Sequence, residues 1–435
     1  MSCGPFEELA AARSGGRTRG LYSVCSSHPL VLEAAVRRSA GNGRPLLVEA
    51  TANQVNQEGG YTGMKPMDFA ARLRALRERY GVGEEQVIFG GDHLGPHPWR
   101  KLASKIAMAK AEKLVRAFVS AGARKVHLDA SMALGDDEGA APPPAVVAAR
   151  AARLCAAAED EYRILASNRD SVPPPVYVVG TEVPVPGGVS AEGPEGPMPT
   201  RPADFLATVS LHEEHFSRAG LRQAWERVVA VVVQPGVEFD STGLSPYMRS
   251  KASGLKAALA STHGLWFEAH STDYQSDETL RELVEDGFAF LKVGPALSFV
   301  LREALFGLSA IESELRDEQG MPIASALRGA MLADDRYWRD YYPSGEGAEL
   351  LYSLSDRARY YWDRPGPAAE VERAFAASDD AIIPVGLLSQ YLPRLGGAHA
   401  ALASEGGSSP RELAMDAVGT ELARYEAACF PGMER

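Results

Sequence analysis

The chain has 435 residues, with 45% hydrophobic and 23% charged residues and a formal net charge of -12. This composition is ordinary for a globular protein, and the length suits a barrel-sized domain with an appendage. The negative charge and the lack of a lysine- and arginine-rich run argue against nucleic acid as the main partner. No apolar stretch approaches the roughly 20 residues needed to cross a bilayer, so we expect no membrane partner.

Four scattered cysteines, none in a CxxC pair, are typical of a reducing compartment and exclude a zinc-finger cluster. The amino terminus has no basic region followed by an apolar one, so the sequence predicts no secretory signal. We therefore expect a cytoplasmic protein.

Eight short apolar runs predict β-strands, and helical periodicity follows each of them. Runs that are apolar on both faces are typical of a parallel sheet covered by helices. The predicted strands are Leu21–Cys25, Leu46–Ala50, Val87–Phe89, Lys125–Asp129, Val176–Gly180, Val229–Val233, Leu265–Ala269 and Phe288–Val293.

Eight such units over about 300 residues predict a (β/α)8 TIM barrel, which we assign to residues 1–314. A doubly wound open sheet is the alternative. Residues 315–435 are mainly helical in pattern and rich in clustered aromatic residues. We expect a helical appendage packed on the barrel, with the aromatic clusters forming core or an oligomer interface. If the aromatic clusters form an interface, we expect the protein to be a homo-oligomer.

Barrel enzymes carry their chemistry at the carboxyl ends of the strands. The polar residues at the eight predicted ends are Ser26, His28, Glu49, Asn53, Asp92, His93, Asp129, Glu182, Gln234, His270 and Lys292. Seven of the eight ends bear a group that could bind a metal, move a proton or bind an anion. If these side chains converge at one end of the barrel, the Asp92-His93 pair is better explained by a function than by chance.

His93 and His270 are the predicted imidazole ligands of a divalent metal, with Glu182 and Asp129 as carboxylate candidates. Beside such a metal, Asp92 would move a proton on a substrate hydroxyl, and Glu182 is a second candidate catalytic carboxylate. The alternative is that Asp92 caps a turn, that His93 is an ordinary loop histidine, and that the other carboxylates cap helices. His127 lies within a predicted strand and is a weaker candidate.

Substrate contacts are predicted at Glu49, Asn53 and Gln234. An anionic group would bind near Ser271 and Gly294, after the last two strands, with Lys292 adding charge. Arg357, in the appendage, could reach a substrate phosphate, although a solvated helix face is the plainer interpretation. The chain has no GxxxxGK[ST] motif and no GxGxxG motif, so neither a P-loop kinase nor a nicotinamide enzyme is indicated.

Several long motifs together carry a family resemblance. They are Glu49–Gln57, Gly59–Met64, Gly90–Pro96, Gly180–Pro184, Gln234–Phe239, Ser355–Arg357 and Tyr360–Trp362. From about residue 20 to the end, the chain resembles the Z-subunit family of class II tagatose-1,6-bisphosphate aldolases, also labelled tagatose-6-phosphate kinases.

The resemblance implies a TIM barrel related to class II, zinc-dependent ketose-bisphosphate aldolases. It implies that Asp92 is the catalytic acid/base and that His93 and His270 are metal ligands, with Zn2+ expected and Mn2+, Co2+ or Ni2+ as alternatives. Where the resemblance implies a further ligand histidine, the chain has Gln234. That departure suits the family's description as the non-catalytic partner of a Y-type aldolase subunit.

Two functions follow. The first is a metal-dependent enzyme that acts on tagatose- or fructose-type ketohexoses, free or phosphorylated, by aldol cleavage or C4 epimerisation, since some family members are similar to 4-epimerases. The second is a stabilising subunit without chemistry. The many ionisable groups at the strand ends favour the first, because a purely structural barrel has no need of them.

Overall fold

The computed structural model describes residues 4–139, 141–168, 172–181, 197–262, 264–317, 320–342, 347–377, 383–395 and 409–432. Ten strands occur in this part of the chain. They are β1 Leu21–Val24, β2 Leu46–Thr51, β3 Val87–Leu94, β4 Lys125–Leu128, β5 Val176–Val179, β6 Val228–Val232, β7 Glu238–Phe239, β8 Leu244–Ser245, β9 Trp266–Ala269 and β10 Phe288–Val293.

Eight of these strands form a closed barrel of parallel pairs in the order β1, β2, β3, β4, β5, β6, β9 and β10. The short strands β7 and β8 pair antiparallel with each other in the connection between β6 and β9. The predicted (β/α)8 barrel is confirmed. The doubly wound alternative is wrong, because β10 pairs with β1 and closes the sheet.

Strand β3 is longer than the sequence predicted, since it continues through the two glycines to Leu94. Gly90 of β3 pairs with Glu49 of β2, and Asp92 of β3 pairs with Thr51 of β2. The predicted end of this strand at Phe89 was therefore too early. A Cβ on Gly90 would lie 3.0 Å from the Cγ of Glu49, so the glycine leaves room for that side chain within the strand.

Helices follow the barrel strands, and many begin with a proline at one of the first two helical positions, where no backbone N–H is needed. The helices are Pro5–Ser14, Pro29–Asn42, Pro66–Tyr80, Ser104–Ser120, Pro144–Asn168, Pro202–Arg218, Arg222–Trp225, Arg249–Leu259, Asp277–Glu285, Pro295–Arg316, Pro322–Ala333, Glu349–Tyr352, Pro365–Ala377, Val385–Tyr391 and Pro410–Cys429. Three 3-10 turns span His97–Trp99, Arg357–Tyr360 and Pro393–Leu395. None of the described helices is long and apolar enough to cross a membrane.

The helical C-terminal extension returns to the barrel. Its last helix, Pro410–Cys429, packs against the barrel helices Pro29–Asn42, Asp277–Glu285 and Pro295–Arg316. Helix Pro295–Arg316 ends two residues beyond the predicted domain boundary at residue 314. The aromatic residues Trp338, Tyr342, Tyr361 and Trp362 are buried and belong to the same hydrophobic core as the barrel strands.

Candidate active site

A cavity of about 650 Å³ opens at the carboxyl ends of the barrel strands. Its walls include Asp92 and His93 from β3, His270 directly after β9, and Lys292 from β10. The C-terminal extension lines another side of the same cavity, with Tyr341, Arg357, Arg359, Tyr360 and Trp362. The cavity is thus built jointly by the barrel and the extension.

Three imidazole rings lie together at the barrel end of the cavity. The ring centroid of His93 is 4.7 Å from that of His270 and 5.3 Å from that of His127, and the last two are 5.4 Å apart. All three side chains are buried. Burial lowers the pKa of His270 to about 4, so this imidazole is neutral at pH 7 and able to act as a ligand.

Asp92 lies among these rings. Its Oδ1 is 2.9 Å from Nδ1 of His127 and 3.1 Å from Nζ of Lys292. Burial by itself would raise the pKa of Asp92, but the charges of His93 and Lys292 hold it well below its usual range. Asp92 is therefore an ionised carboxylate at neutral pH, and it lines the cavity.

The orientation of His93 is set by Asp129. Oδ2 of Asp129 lies 3.0 Å from Nδ1 of His93, and Oδ1 accepts hydrogen bonds from the backbone N–H and the hydroxyl of Ser131. Burial opposes the charged form of His93, yet Asp92 and Asp129 raise the pKa of this imidazole above its ordinary value. An imidazole that donates one N–H to a carboxylate leaves its other nitrogen for a metal, which is the usual arrangement of ligand histidines.

A layer of charged side chains fills the barrel interior beneath the imidazoles. Nζ of Lys125 lies 2.8 Å from Oε1 of Glu49 and 2.6 Å from Oε2 of Glu268. Lys292 contacts the second oxygen of Glu49, and its Nζ lies 3.7 Å from Oε1 of Glu268. All four side chains are buried. Buried charges are tolerated only when they are paired, and here each ammonium contacts more than one carboxylate.

The chemistry of this buried cluster fits a divalent cation. Ligand atoms of Asp92, His127, Glu268 and His270 all lie within 4.8 Å of one another. Nε2 of His127 is buried and has no hydrogen-bond partner among the described residues. In and around this cluster, buried carboxylates outnumber buried ammonium groups. The carboxylates are those of Glu49, Asp92, Asp129 and Glu268, and the ammonium groups are those of Lys125 and Lys292. A bound cation would therefore neutralise buried negative charge and give His127 a partner.

Comparison with known proteins identifies the family. Residues 6–430 match the family described as D-tagatose-1,6-bisphosphate aldolase subunit GatZ/KbaZ-like. The chain belongs to this family. It is 46% identical over 431 residues to a D-tagatose 6-phosphate 4-epimerase of Agrobacterium fabrum strain C58, a match that covers 98% of this chain and 99% of the relative.

A solved structure supports the same relation. The crystal structure of a probable tagatose 6 phosphate kinase from Sinorhizobium meliloti 1021 is 42% identical in sequence, with a TM-score of 0.83. The match covers 94% of this chain and 100% of that one. The family resemblance that the motifs predicted is thus confirmed.

The structure brings several of the predicted residues together. Asp92, His93 and His270 surround one point, with Lys292 beside Asp92 and Asp129 behind His93. Other predicted residues line the cavity further out, and these are Asn53, Ser271, Gly294 and Arg357. Glu49 lies beneath the imidazoles, where it pairs with Lys125 and Lys292. Its predicted contact with substrate remains a prediction.

Two other predicted site residues are not found in the cavity wall: Gln234 has a different position, and Glu182 is not among the described residues. Oε1 of Gln234 accepts hydrogen bonds from the backbone N–H groups of Gly236 and Val237, so this oxygen holds the loop after β6. Gln234 is not among the residues that line the cavity. Glu182 lies outside the described residues, so its predicted roles in catalysis and metal binding remain predictions.

Lys125 and Glu268 escaped sequence reasoning, and His127 was named only as a weaker candidate. A signal was present, because Lys125 and His127 are two residues apart on one strand and therefore point to the same face. Glu268 precedes His270 by the same interval. Charged side chains at alternate positions of an otherwise apolar barrel strand indicate a polar barrel interior, since the outer face packs against helices.

Proposed function

We propose that this protein is a divalent-metal-dependent 4-epimerase of D-tagatose 6-phosphate. The observation that carries the proposal is the cluster of three imidazoles around the ionised Asp92 at the carboxyl end of the barrel. Support comes from the relative of 46% identity, which bears that activity in its name and is covered almost end to end.

In this proposal His93, His127 and His270 hold the metal, and Asp129 positions His93. Three histidines with an open position for substrate are a common catalytic arrangement, and Zn2+ is the ion we expect. When bound, the ion would polarise the ketose carbonyl and favour negative charge on the adjacent oxygen. Glu268, whose Oε1 lies 3.1 Å from Nε2 of His270, holds that ring in place.

The remaining chemistry belongs to Asp92. Its carboxylate accepts the proton of the C4 hydroxyl, the C3–C4 bond breaks, and the bonding electron pair stays on the C1–C3 fragment. The C4 aldehyde then turns to present its opposite face, the C3–C4 bond forms again, and Asp92 returns the proton to the C4 oxygen. The product is the C4 epimer, and neither an oxidant nor a reductant is consumed. Lys292, 3.1 Å from Asp92, keeps this carboxylate ionised before the reaction, so that it can accept the proton of the C4 hydroxyl.

The proposal is tested on the purified chain. We expect bound metal, interconversion of tagatose 6-phosphate and fructose 6-phosphate by NMR, loss of turnover with chelator, and recovery with Zn2+. Mn2+, Co2+ and Ni2+ are compared in the recovery step. Asp92→Asn is expected to lower turnover by about 10²- to 10⁴-fold, the usual contribution of a positioned base. The matched control Asp416→Asn changes a half-exposed carboxylate that pairs with Arg37, outside the cavity, and should leave turnover unchanged.

The family description, which names an aldolase subunit, supplies the competing outcome. Accumulation of triose products from a ketose bisphosphate would assign aldol cleavage instead of epimerisation. A metal-free chain that is inert alone, yet raises the activity or stability of a Y-type subunit equally well as wild type and as Asp92→Asn, would contradict the enzymatic proposal.

A further inference from the structure

We infer that Arg357, a residue of the C-terminal extension, binds the phosphate group of the substrate, in place of the helix N-terminus that follows β10. The inference rests on the proposed function for the identity of the substrate. Its structural basis is independent, since it comes from a guanidinium in the cavity wall with two nitrogens that have no hydrogen-bond partner in the described part of the chain, and from the groups that already occupy the alternative site.

The alternative site is the N-terminus of helix Pro295–Arg316, where barrel enzymes often bind phosphate. Here Oδ1 of Asp273 accepts hydrogen bonds from the backbone N–H groups of Gly294, at 2.9 Å, and Ala296, at 2.8 Å. Asp273 is buried. An anion arriving at this helix would meet a carboxylate where free N–H donors would be needed.

Arg357 offers the donors that the helix lacks. The residue is only 4% exposed, yet Nε and Nη2 have no hydrogen-bond partner among the described residues. Nη1 has one long contact, 3.4 Å from the hydroxyl of Tyr360. A buried guanidinium with two unsatisfied donors is costly, and a phosphate would satisfy both at once, because the planar fork matches two phosphate oxygens.

The fold holds this guanidinium in place before any ligand binds. Its central carbon lies 3.2 Å from the ring centroid of Tyr341, which stacks on one face of the fork. The backbone N–H of Arg357 donates to the hydroxyl of Tyr342. The preceding residue, Asp356, is buried and paired with Arg302 through an Nε–Oδ1 distance of 2.9 Å. The binding group is therefore anchored to helix Pro295–Arg316 and needs little ordering.

A second arginine, Arg359, adds charge to this wall, and both of its terminal nitrogens already have hydrogen-bond partners. Nη1 of Arg359 donates to the carbonyl oxygens of Ser355 and Asp356, and Nη2 lies 2.9 Å from the hydroxyl of Tyr360. The two guanidinium groups flank Tyr360 on the cavity wall. Arg359 thus adds positive charge to the wall that the extension contributes, while Asp92, His93 and His270 line the same cavity from the barrel. One cavity therefore offers a guanidinium for a phosphate and a separate set of barrel groups for the reacting part of a ketose.

The experiment compares Arg357→Gln and Arg357→Lys with the control Arg339→Gln, which removes an exposed charge of the extension paired with Asp335. Inorganic phosphate binding is measured by calorimetry and by thermal shift against chloride at equal ionic strength, so turnover is not required. We expect binding in wild type and control and loss in Arg357→Gln. Arg357→Lys should bind weakly, because a point charge lacks the two-pronged contact.

Kinetics supply the second readout. For tagatose 6-phosphate, kcat/KM should fall at least about 30-fold in Arg357→Gln, as expected when charge-assisted hydrogen bonds are lost. The control Arg339→Gln should keep the wild-type kcat/KM. An unchanged circular dichroism spectrum and an unchanged midpoint of thermal unfolding show that Arg357→Gln is folded.

The outcomes separate this inference from the proposed function. An active enzyme whose phosphate binding and kcat/KM do not change in Arg357→Gln overturns the inference and leaves the epimerase proposal intact. Phosphate binding that depends on Arg357 in a chain inactive on every ketose supports the inference and overturns the proposed activity. Stronger phosphate binding in Asp273→Asn, without any effect of Arg357→Gln, would assign the phosphate to the helix N-terminus and overturn the inference.

Discussion

Single residues around the cavity adopt backbone conformations that side chains normally avoid. His93, Ser271 and Asp356 have φ angles of 48°, 54° and 43°, in the left-handed region that favours glycine. Such a conformation costs of the order of 1 kcal/mol for a residue with a Cβ, and it persists where surrounding contacts impose it. His93 is a proposed ligand, Ser271 follows another, and Asp356 precedes Arg357. The strained backbone conformations therefore lie at positions where the proposed site requires fixed side-chain orientations.

Glu238 is a buried carboxyl at the edge of this region. It begins β7 and accepts a hydrogen bond from the backbone N–H of Phe239. Burial raises the pKa of Glu238 to about 7, and the nearby charges of Asp273 and Asp240 act in the same direction, while a hydrogen bond from Ser271 opposes them. The folded protein therefore retains a proton here that the unfolded chain releases at lower pH.

A pH dependence of stability follows for Glu238. The folded form binds more protons than the unfolded chain between the ordinary carboxyl pKa and about 7, so the free energy of unfolding falls as the pH rises through this window. Between pH 5 and pH 8 we expect wild type to lose about 2 kcal/mol more than Glu238→Gln, as measured by urea unfolding. Glu84→Gln, at an exposed surface position, serves as the control. Equal losses in wild type and Glu238→Gln would refute this assignment.

At the scale of elements, the contact between the ends of β3 and β4 determines the position of two site residues. A Cβ on Gly95 would lie only 1.5 Å from the carbonyl oxygen of Asp129. The backbone after β3 therefore lies directly against the residue that follows β4. This close approach places the Asp129 carboxylate 3.0 Å from the His93 ring.

Gly95→Ala is expected to force these two strand ends apart. We expect the free energy of unfolding to fall by at least about 2 kcal/mol, because an added methyl group here would overlap backbone atoms that cannot rotate away. Urea unfolding measures the loss. Gly83→Ala is a suitable control, since a Cβ there meets no atom within 4 Å. A Gly95→Ala protein as stable as the control would show that the strand ends separate at no cost.

At the scale of the whole molecule, the last helix is tied to the start of the barrel. Glu426 is buried, and its Oε2 lies 2.7 Å from Nη2 of Arg38. Its Oε1 accepts hydrogen bonds from the side-chain amide of Asn42 and the hydroxyl of Tyr22. These partners belong to β1 and helix Pro29–Asn42, which are more than 380 residues earlier in the chain.

Glu426→Gln is expected to lower the free energy of unfolding by about 2 kcal/mol, since it leaves partly buried guanidinium groups without a counter-charge. Denaturant unfolding followed by tryptophan fluorescence and by circular dichroism should give one coincident transition, because barrel and extension share a hydrophobic core. An Asp416→Asn control removes the half-exposed carboxylate that pairs with Arg37 and should cost little. Two separate transitions would show that the extension unfolds independently.

The barrel and much of the site were predictable from local pattern. Apolar runs such as Phe288–Val293 must be buried on both faces, and the structure has this strand over the same residues. Polar residues directly after such runs, including Asp92 and His270, must meet at one end once the strands are parallel. The extent of β3 was not predictable, because whether Gly90 and Gly91 extend or turn depends on the neighbouring strand β2.

The sequence by itself determined the barrel, the family and the line of reactive groups at the strand ends, because strand periodicity and long motifs are local properties. Only the tertiary structure decided which groups meet. The contacts of His127 with Asp92, of Lys125 with Glu268, and of Asp273 with the helix after β10 join residues from separate strands and loops. The position of Arg357 in the cavity wall depends on how the extension packs on the barrel. Side chains far apart in sequence become neighbours only through tertiary packing.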